Sequence, residues 1–278
     1  MSRNRDRLGG TQHQDTEPPA QGGGFSFVVP TEFVELPSQG KFYPEGHPLH
    51  GQDSIEIRQM TAKEEDMLTS RTLLKKGVAL DRVIASIIVD KRINADSILI
   101  GDRNAIIIAA RVAGYGNMYE TNVSCPNCGT AQDYSFDLNK ANIYDGSEAN
   151  DYGILNNGDG TFNVKLPRTG VETQFRLLNG RDEKSMLSGM QSERKSKKER
   201  NVTRQLAAIV VSLNGDSSMQ AKQYFVENVP SIDSRHLRLA YRLAAPNIDL
   251  TQHFECSECS HEQDMEVPLN ADFFWSER

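Results

Sequence analysis

The sequence predicts an α+β fold: a helical core, a split pair of cysteine-turn hairpins and an additional β-hairpin. Three observations predict it. Apolar residues recur at helical spacing along 61–115 and again along 181–246. All four cysteines fall into two Cys-x-x-Cys pairs, each set between strand-like runs. Asn156-Asn157-Gly158-Asp159-Gly160 is a strong turn signal between two further strand-like runs, which reads as a hairpin.

Composition sets the frame for these elements. With 278 residues the chain has room for one large or two modest domains, and 37% hydrophobic residues supply a core. A formal net charge of -7 argues against broad electrostatic binding to nucleic acid or anionic membrane. No run of apolar residues is long enough to span a bilayer. Residues 1–24 are rich in Arg, Gln, Gly and Pro and have no apolar stretch of the kind a secretory signal needs. They are expected to form a flexible tail, because they bury too little apolar surface to offset the entropy of ordering. The chain is therefore expected to stay in the cytoplasm, where paired cysteines are more often metal ligands or redox groups than disulfides.

The elements follow in order. Residues 25–60 form an extended aromatic and Pro-rich segment: Phe25, Phe27 and Val29 alternate, Pro37, Gly40 and Pro44 mark turns, and Ile55 and Ile57 suggest a short strand. Residues 61–139 hold the helical core and the first cysteine hairpin. Thr61 and Glu64 read as a capping box opening a helix to about Lys76. Leu80, Val83, Ile84, Ile87 and Ile88 make a one-sided stripe on the next helix. After the apolar step Ile98–Ile100, Asp102 is placed to cap a third helix, apolar on most sides, ending near Gly114. Residues 140–246 read as an insertion with the hairpin, a strand pair involving Thr173 to Leu178, and more helices. There Val202, Leu206, Ile209, Val210 and Leu213 look like one helical stripe, Ser217 and Gln220 like a second capping box, and Leu237, Ala240, Tyr241 and Ala244 like a last helix. Residues 247–278 return to a cysteine hairpin and close with Phe273-Phe274-Trp275.

The chemistry lies in a repeat. Cys125 and Cys128 match Cys256 and Cys259 at a constant offset of 131 positions. At the same offset Gln132 and Asp133 match Gln263 and Asp264, Phe136 matches Val267, Leu138 matches Leu269, and Asn139 matches Asn270. Two residues between cysteines let a tight turn aim both thiolates at one cation, and two such turns give the closed tetrahedral sulfur site of structural zinc. Cys125, Cys128, Cys256 and Cys259 are thus the expected ligands of one zinc per chain, in a zinc-ribbon-like arrangement split by residues 129–255. Redox activity is disfavoured because neither pair sits at a thioredoxin-like strand-to-helix junction. His253 and His261 flank the second pair and are left open as competing ligands.

Other features weigh less. The basic run Arg194–Arg200 reads as a solvated helix face, since no aromatics interleave with it as single-strand binding would require. There is no phosphate loop, no nucleophile elbow and no His-Glu-x-x-His helix, and the six histidines do not cluster. Nothing builds an active site, so the chain reads as a non-enzyme. Phe42-Tyr43-Pro44 and Phe273-Phe274-Trp275 either dock partner subunits or cover the chain's own core, and the two ends are expected to converge near the cysteine turns.

Several of these segments are similar to a known family. Phe33-Val34-Glu35-Leu36-Pro37-Ser38-Gln39-Gly40-Lys41-Phe42-Tyr43-Pro44 resembles an N-terminal signature of the T4-type bacteriophage baseplate hub assembly proteins. So does Ile100-Gly101-Asp102-Arg103-Asn104. The cysteine turn followed by Phe136-Asp137-Leu138, and the ending Pro268-Leu269 to Phe273-Phe274-Trp275, are similar too. The resemblance implies a contractile-tail phage protein, needed to build the baseplate central hub by binding other tail and baseplate proteins. It implies assembly in the host cytoplasm, with a place in the virion baseplate and a homo-oligomer both left open. The zinc expectation rests on this chain's own cysteines. A zinc-ribbon nucleic-acid-binding factor and a tail-associated zinc hydrolase are the rival readings.

Overall fold

The structure, a computed structural model, describes residues 27–196, 200–268 and 273–274, with backbone only at 191–196. Strand β1 (Thr31–Glu35) pairs antiparallel with β2 (Ser54–Arg58), which sets buried Val34 against buried Ile55. The strand thus starts beyond the alternation read at Phe25, Phe27 and Val29: Phe27 is exposed and Phe25 lies outside the described residues. The loop between β1 and β2 folds tightly on itself. Gly40 has φ +68°, and a Cβ there would meet the Gln52 backbone nitrogen at 2.4 Å, so only glycine fits.

Helix α1 (Ala62–Thr69) opens at the expected box, with the Thr61 backbone N–H donating to Glu64 Oε2 at 3.0 Å. It does not run on to Lys76. Ser70 takes an extended conformation and its hydroxyl accepts from Leu73 N, which starts a separate helix, α2 (Arg71–Lys76). Helix α3 (Ala79–Ile87) buries Val83, Ile84 and Ile87, while Leu80 is 41% exposed and falls outside the stripe assigned to it. Helix α4 (Ile100–Tyr115) buries Ala105, Ile106, Ile108 and Ala110 in the core and ends at Gly116. It starts so close to the chain at 246–247 that a Cβ on Gly101 would lie 2.0 Å from the Pro246 carbonyl oxygen.

Asp102 does not cap α4; Leu99 occupies that position. The Asp102 carboxylate is instead buried and satisfied from far away in sequence. Ser38 N donates to Oδ1 at 2.9 Å, and Ser38 Oγ and Tyr43 OH both donate to Oδ2 at 2.6 Å. Burial pushes the carboxyl up, against the pull of these three donors.

The first cysteine hairpin is β3 (Met118–Ser124) with β4 (Ala131–Asp137), followed by β5 (Asn142–Tyr144). The Asn156–Gly160 turn joins β6 (Leu155–Asn156) to β7 (Thr161–Lys165), as its residues require. Then come β8 (Glu172–Arg176), α5 (Gly180–Ser196), α6 (Asn201–Ile209) and β9 (Val210–Leu213). The strands form one antiparallel sheet in the order β6-β7-β8-β9. Val210 and Leu213 therefore belong to a strand and not to a helical stripe. The helix gives way at a β-branched Val-Val pair where the free edge of β8 offers a ladder, Phe175 facing Val210. Val202, at the other end of the supposed stripe, is 42% exposed.

Helix α7 (Met219–Asn228) is capped by Ser218, which accepts from Ala221 N at 3.2 Å, and not by Ser217 with Gln220. Helix α8 (Ser231–Ala244) buries Leu237, Ala240 and Ala244 as its periodicity predicts. Strand β10 (Asn247–Asp249) pairs with β5, and β11 (Thr251–Glu255) with β12 (Glu262–Glu266) forms the second cysteine hairpin.

Two apolar cores result. One gathers α1, α3, α4, the β1–β2 pair and both cysteine hairpins; the other joins the four-stranded sheet to α6, α7 and α8. Phe273 and Phe274 sit in the first core, edge-on to Tyr119 at 5.1 Å and Tyr115 at 6.3 Å. Buried Arg111 fixes them, its Nε donating to the Phe273 carbonyl at 2.7 Å. Tyr43 lies in the same core, and Phe42 packs on Phe162 with ring centroids 5.6 Å apart. Phe42, Tyr43, Phe273 and Phe274 thus cover the chain's own core; Trp275 lies outside the described residues. Leu36, Tyr43 and Phe273 share one apolar cluster with Cys125 and Cys256; Phe273 itself packs on Tyr119, at the end of the β3–β4 hairpin opposite the cysteine turn, where convergence was not expected.

Candidate metal centre

Each cysteine turn is built by the same three backbone features. In the first, Cys125 N donates to the Thr130 carbonyl at 2.9 Å and Gly129 N to the Cys125 carbonyl at 2.8 Å. In the second, Cys256 N donates to the His261 carbonyl at 2.9 Å and Ser260 N to the Cys256 carbonyl at 3.0 Å. The residue after each second cysteine is left-handed, with φ +74° at Gly129 and +52° at Ser260. Strand registers agree as well: Ser124 faces Ala131 as Glu255 faces Glu262. The sequence repeat is therefore a structural repeat, and Phe136 and Val267 are both buried at the ends of their hairpins away from the turns. Leu269 and Asn270, the last matches of the repeat, lie outside the described residues.

The two turns face one another and bring all four sulfurs within 4.8 Å. Cys125 Sγ lies 3.8 Å from Cys259 Sγ, and Cys128 Sγ lies 3.7 Å from Cys256 Sγ. These contacts exchange under the repeat, so the cluster has local two-fold character. Both are far longer than a disulfide bond of about 2.05 Å. Four sulfurs each about 2.3 Å from a central cation would be about 3.8 Å apart along a tetrahedron edge. The donor set thus fits a thiophilic cation in size and in chemistry. Cys125 and Cys256 are buried, while Cys128 and Cys259 are exposed. Hydrogen bonding with Thr130, side chain first and backbone second, holds the Cys128 thiol down to about 6, towards the thiolate a metal requires.

Other residues brace the turns, and of these only Gln132 stood out in the sequence, as a member of the repeat. Asn127 Nδ2 reaches Cys259 Sγ at 3.6 Å across the two-fold. Gln132 Oε1 accepts from Ser257 N at 3.0 Å and Ser257 Oγ at 3.1 Å, so the first hairpin clamps the second turn. Tyr134 OH donates to the His253 carbonyl at 3.0 Å. His253 and His261 do not join the sulfur group; His261 Nε2 lies against Gln263 Oε1 at 3.4 Å. Of the basic run, Arg194–Ser196 continue α5 as backbone, and 197–199 lie outside the described residues.

Fold and site together define a mixed helix-and-strand protein carrying a four-thiol cluster at the meeting of two distant hairpins. Over residues 29–275 the chain matches the family described as T4 bacteriophage base plate protein, and it belongs to that family. Searches among curated proteins and among solved structures returned no match. The chain is accordingly a phage baseplate protein whose partners are other phage tail proteins, in a structural family that is generally non-enzymatic. Among the described residues, no helix is long and apolar enough to cross a membrane. The two N-terminal segments that resemble the family, 33–44 and 100–104, are the ones that Asp102 ties together through Ser38 and Tyr43.

Proposed function

We propose that this protein is a non-catalytic assembly component of a contractile phage tail, made in the host cytoplasm and needed to build the baseplate central hub through protein–protein contacts. The observation that carries the reading is the family match, which spans nearly the whole chain. Within it, Cys125, Cys128, Cys256 and Cys259 hold one structural zinc per chain. The sulfur separations of 3.7 and 3.8 Å, beside the tetrahedral edge of about 3.8 Å, support that assignment. The zinc fixes two hairpins far apart in sequence, so the surface around them loses little ordering entropy when a partner binds.

Two experiments test the two halves of the proposal. Phage lacking the protein should accumulate tails arrested before the hub, and the wild-type chain supplied in trans should restore hubs in sedimentation and electron microscopy. Complete hubs in its absence would end the assembly reading. Protein purified under reducing conditions should carry about one zinc per chain, with four sulfurs at about 2.3 Å in X-ray absorption. Metal-free protein that melts at the same temperature as the purified form would end the zinc reading.

A further inference from the structure

Helix α8 has two unlike sides. Leu237, Ala240 and Ala244 face the second core. Arg235, Arg238 and Arg242 follow the spacing i, i+3, i+7, which places them along one face over about 10 Å of helix axis. All three line a groove of about 760 Å³ together with His236, Leu239 and Ile232. Ile232 is 57% exposed, an apolar side chain at the mouth of a cationic groove.

Among the described residues, no aspartate or glutamate lines this groove. Elsewhere the chain pairs several of its guanidiniums: Arg58 with Glu64, Arg103 with Asp81, Arg176 with Asp182. On α8, Arg238 Nε reaches only the Ser234 carbonyl, at 3.4 Å, and among the described residues Arg235 and Arg242 are neither ion-paired nor hydrogen-bonded. Asp233, on the same helix, is turned inward and buried, its carboxylate accepting from Arg168 N at 2.8 Å and Thr169 N at 2.9 Å. The groove is thus a local positive field on a chain whose net charge is -7.

We infer that this groove docks an acidic segment of a partner protein, one that alternates carboxylates with an apolar side chain. Carboxylates seated between the guanidiniums would relieve their mutual repulsion and gain bidentate hydrogen bonds. An apolar side chain laid over Ile232 and Leu239 would take them out of water. A nucleic acid fits less well. The overall negative charge repels a long polyanion, the cationic face is too short for more than a few phosphates, and a phosphate backbone leaves Ile232 uncovered. The choice of a protein partner rests also on the assembly reading above; the charge of the groove does not.

The test uses the full chain and three fluorescent probes. One is a short peptide with glutamates at i, i+3 and i+7 and a leucine between them. The second has lysines in place of the glutamates, and the third is a single-stranded oligonucleotide of equal negative charge. Fluorescence anisotropy should show the glutamate peptide binding, and releasing as salt rises. Arg235→Gln with Arg242→Gln should weaken it about tenfold, and Ile232→Ser about threefold, with circular dichroism and melting unchanged because these side chains are exposed. Failure of the glutamate peptide to bind, equal binding of the lysine peptide, an unaffected double variant, or tighter binding of the oligonucleotide would each overturn the inference. Hub formation, read separately by complementation, is unaffected by any of these outcomes.

Discussion

Replacing Tyr43 with phenylalanine removes one oxygen from a buried junction and changes little else. That hydroxyl donates to Asp102 Oδ2 at 2.6 Å and accepts from Leu99 N at 3.1 Å. Burial, and then the Asp102 charge, raise it well above the ordinary tyrosine range, so it stays protonated as a donor at any pH the protein meets. In Tyr43→Phe, Asp102 keeps only the two Ser38 donors, and the Leu99 N–H loses its acceptor. A hydrogen bond to a charged group contributes about 1.5–3 kcal/mol, and a stranded buried N–H costs about 1–3 kcal/mol. With partial relaxation the expected loss is about 3 kcal/mol. Urea unfolding followed by far-ultraviolet circular dichroism should show this as a midpoint about 1 M lower at an unchanged slope of about 3 kcal/mol/M. Tyr115→Phe serves as the control. The Tyr115 ring stacks under Arg111 at 5.3 Å, and that contact survives the change. A loss below about 0.5 kcal/mol in Tyr43→Phe, or an equal loss in both variants, would refute the role given to the Asp102 junction.

Three further outcomes are expected. A strong chelator, or Cys128→Ser, should release the metal and lower the melting temperature, and zinc should restore it in the wild type but not in the variant; insensitivity to chelator counts against a structural site. Glu64 is buried, which raises its carboxyl, but hydrogen bonds from Arg58, Ser86 and Thr61 outweigh burial and hold it well below the usual range. A carboxyl depressed in the folded state adds stability above its unfolded value, and that stability is lost as pH falls. Glu64→Gln should therefore cost about 3 kcal/mol near neutrality and less as the pH falls below about 4.3, measured by denaturant titration at several pH values; a pH-independent loss would contradict this. Gly101→Ala should cost about 3 kcal/mol or more, or prevent folding, because its Cβ would lie 2.0 Å from the Pro246 oxygen; a neutral result by thermal melting would show that the helix start is not so tightly held.

The cysteine hairpins were legible because the repeat states them twice. Spacing, flanking residues and strand alternation are all local, and the structure carries the same register in both copies. Asp102 was misread for the opposite reason. An aspartate before an apolar helix suits a cap, and nothing nearby shows that Ser38 and Tyr43 will supply its donors from a loop far upstream. The end of α6 was misread because Val210 and Leu213 satisfy a helical period and a strand equally well, and the free edge of β8 decides between them. Leu80 and Val202 continue their stripes in sequence but stand near helix starts, where they are only partly covered, 41% and 42% exposed. The α8 arginines carried a readable i, i+3, i+7 signal, yet only the fold shows that Asp233 turns away from them to accept from Arg168 N and Thr169 N.

The split between the two cysteine turns also orders events in time. Cys125 and Cys128 are synthesised before residues 129–255. At about 5–20 residues per second in synthesis, that interval lasts several seconds at least. During it the first turn is half a chelate, with only two sulfurs for any cation it meets. The second core has its whole sequence available before Cys256 and Cys259 emerge. The four thiols can therefore gather only late in the life of the nascent chain. A product truncated before Cys259 lacks the full four-sulfur cluster.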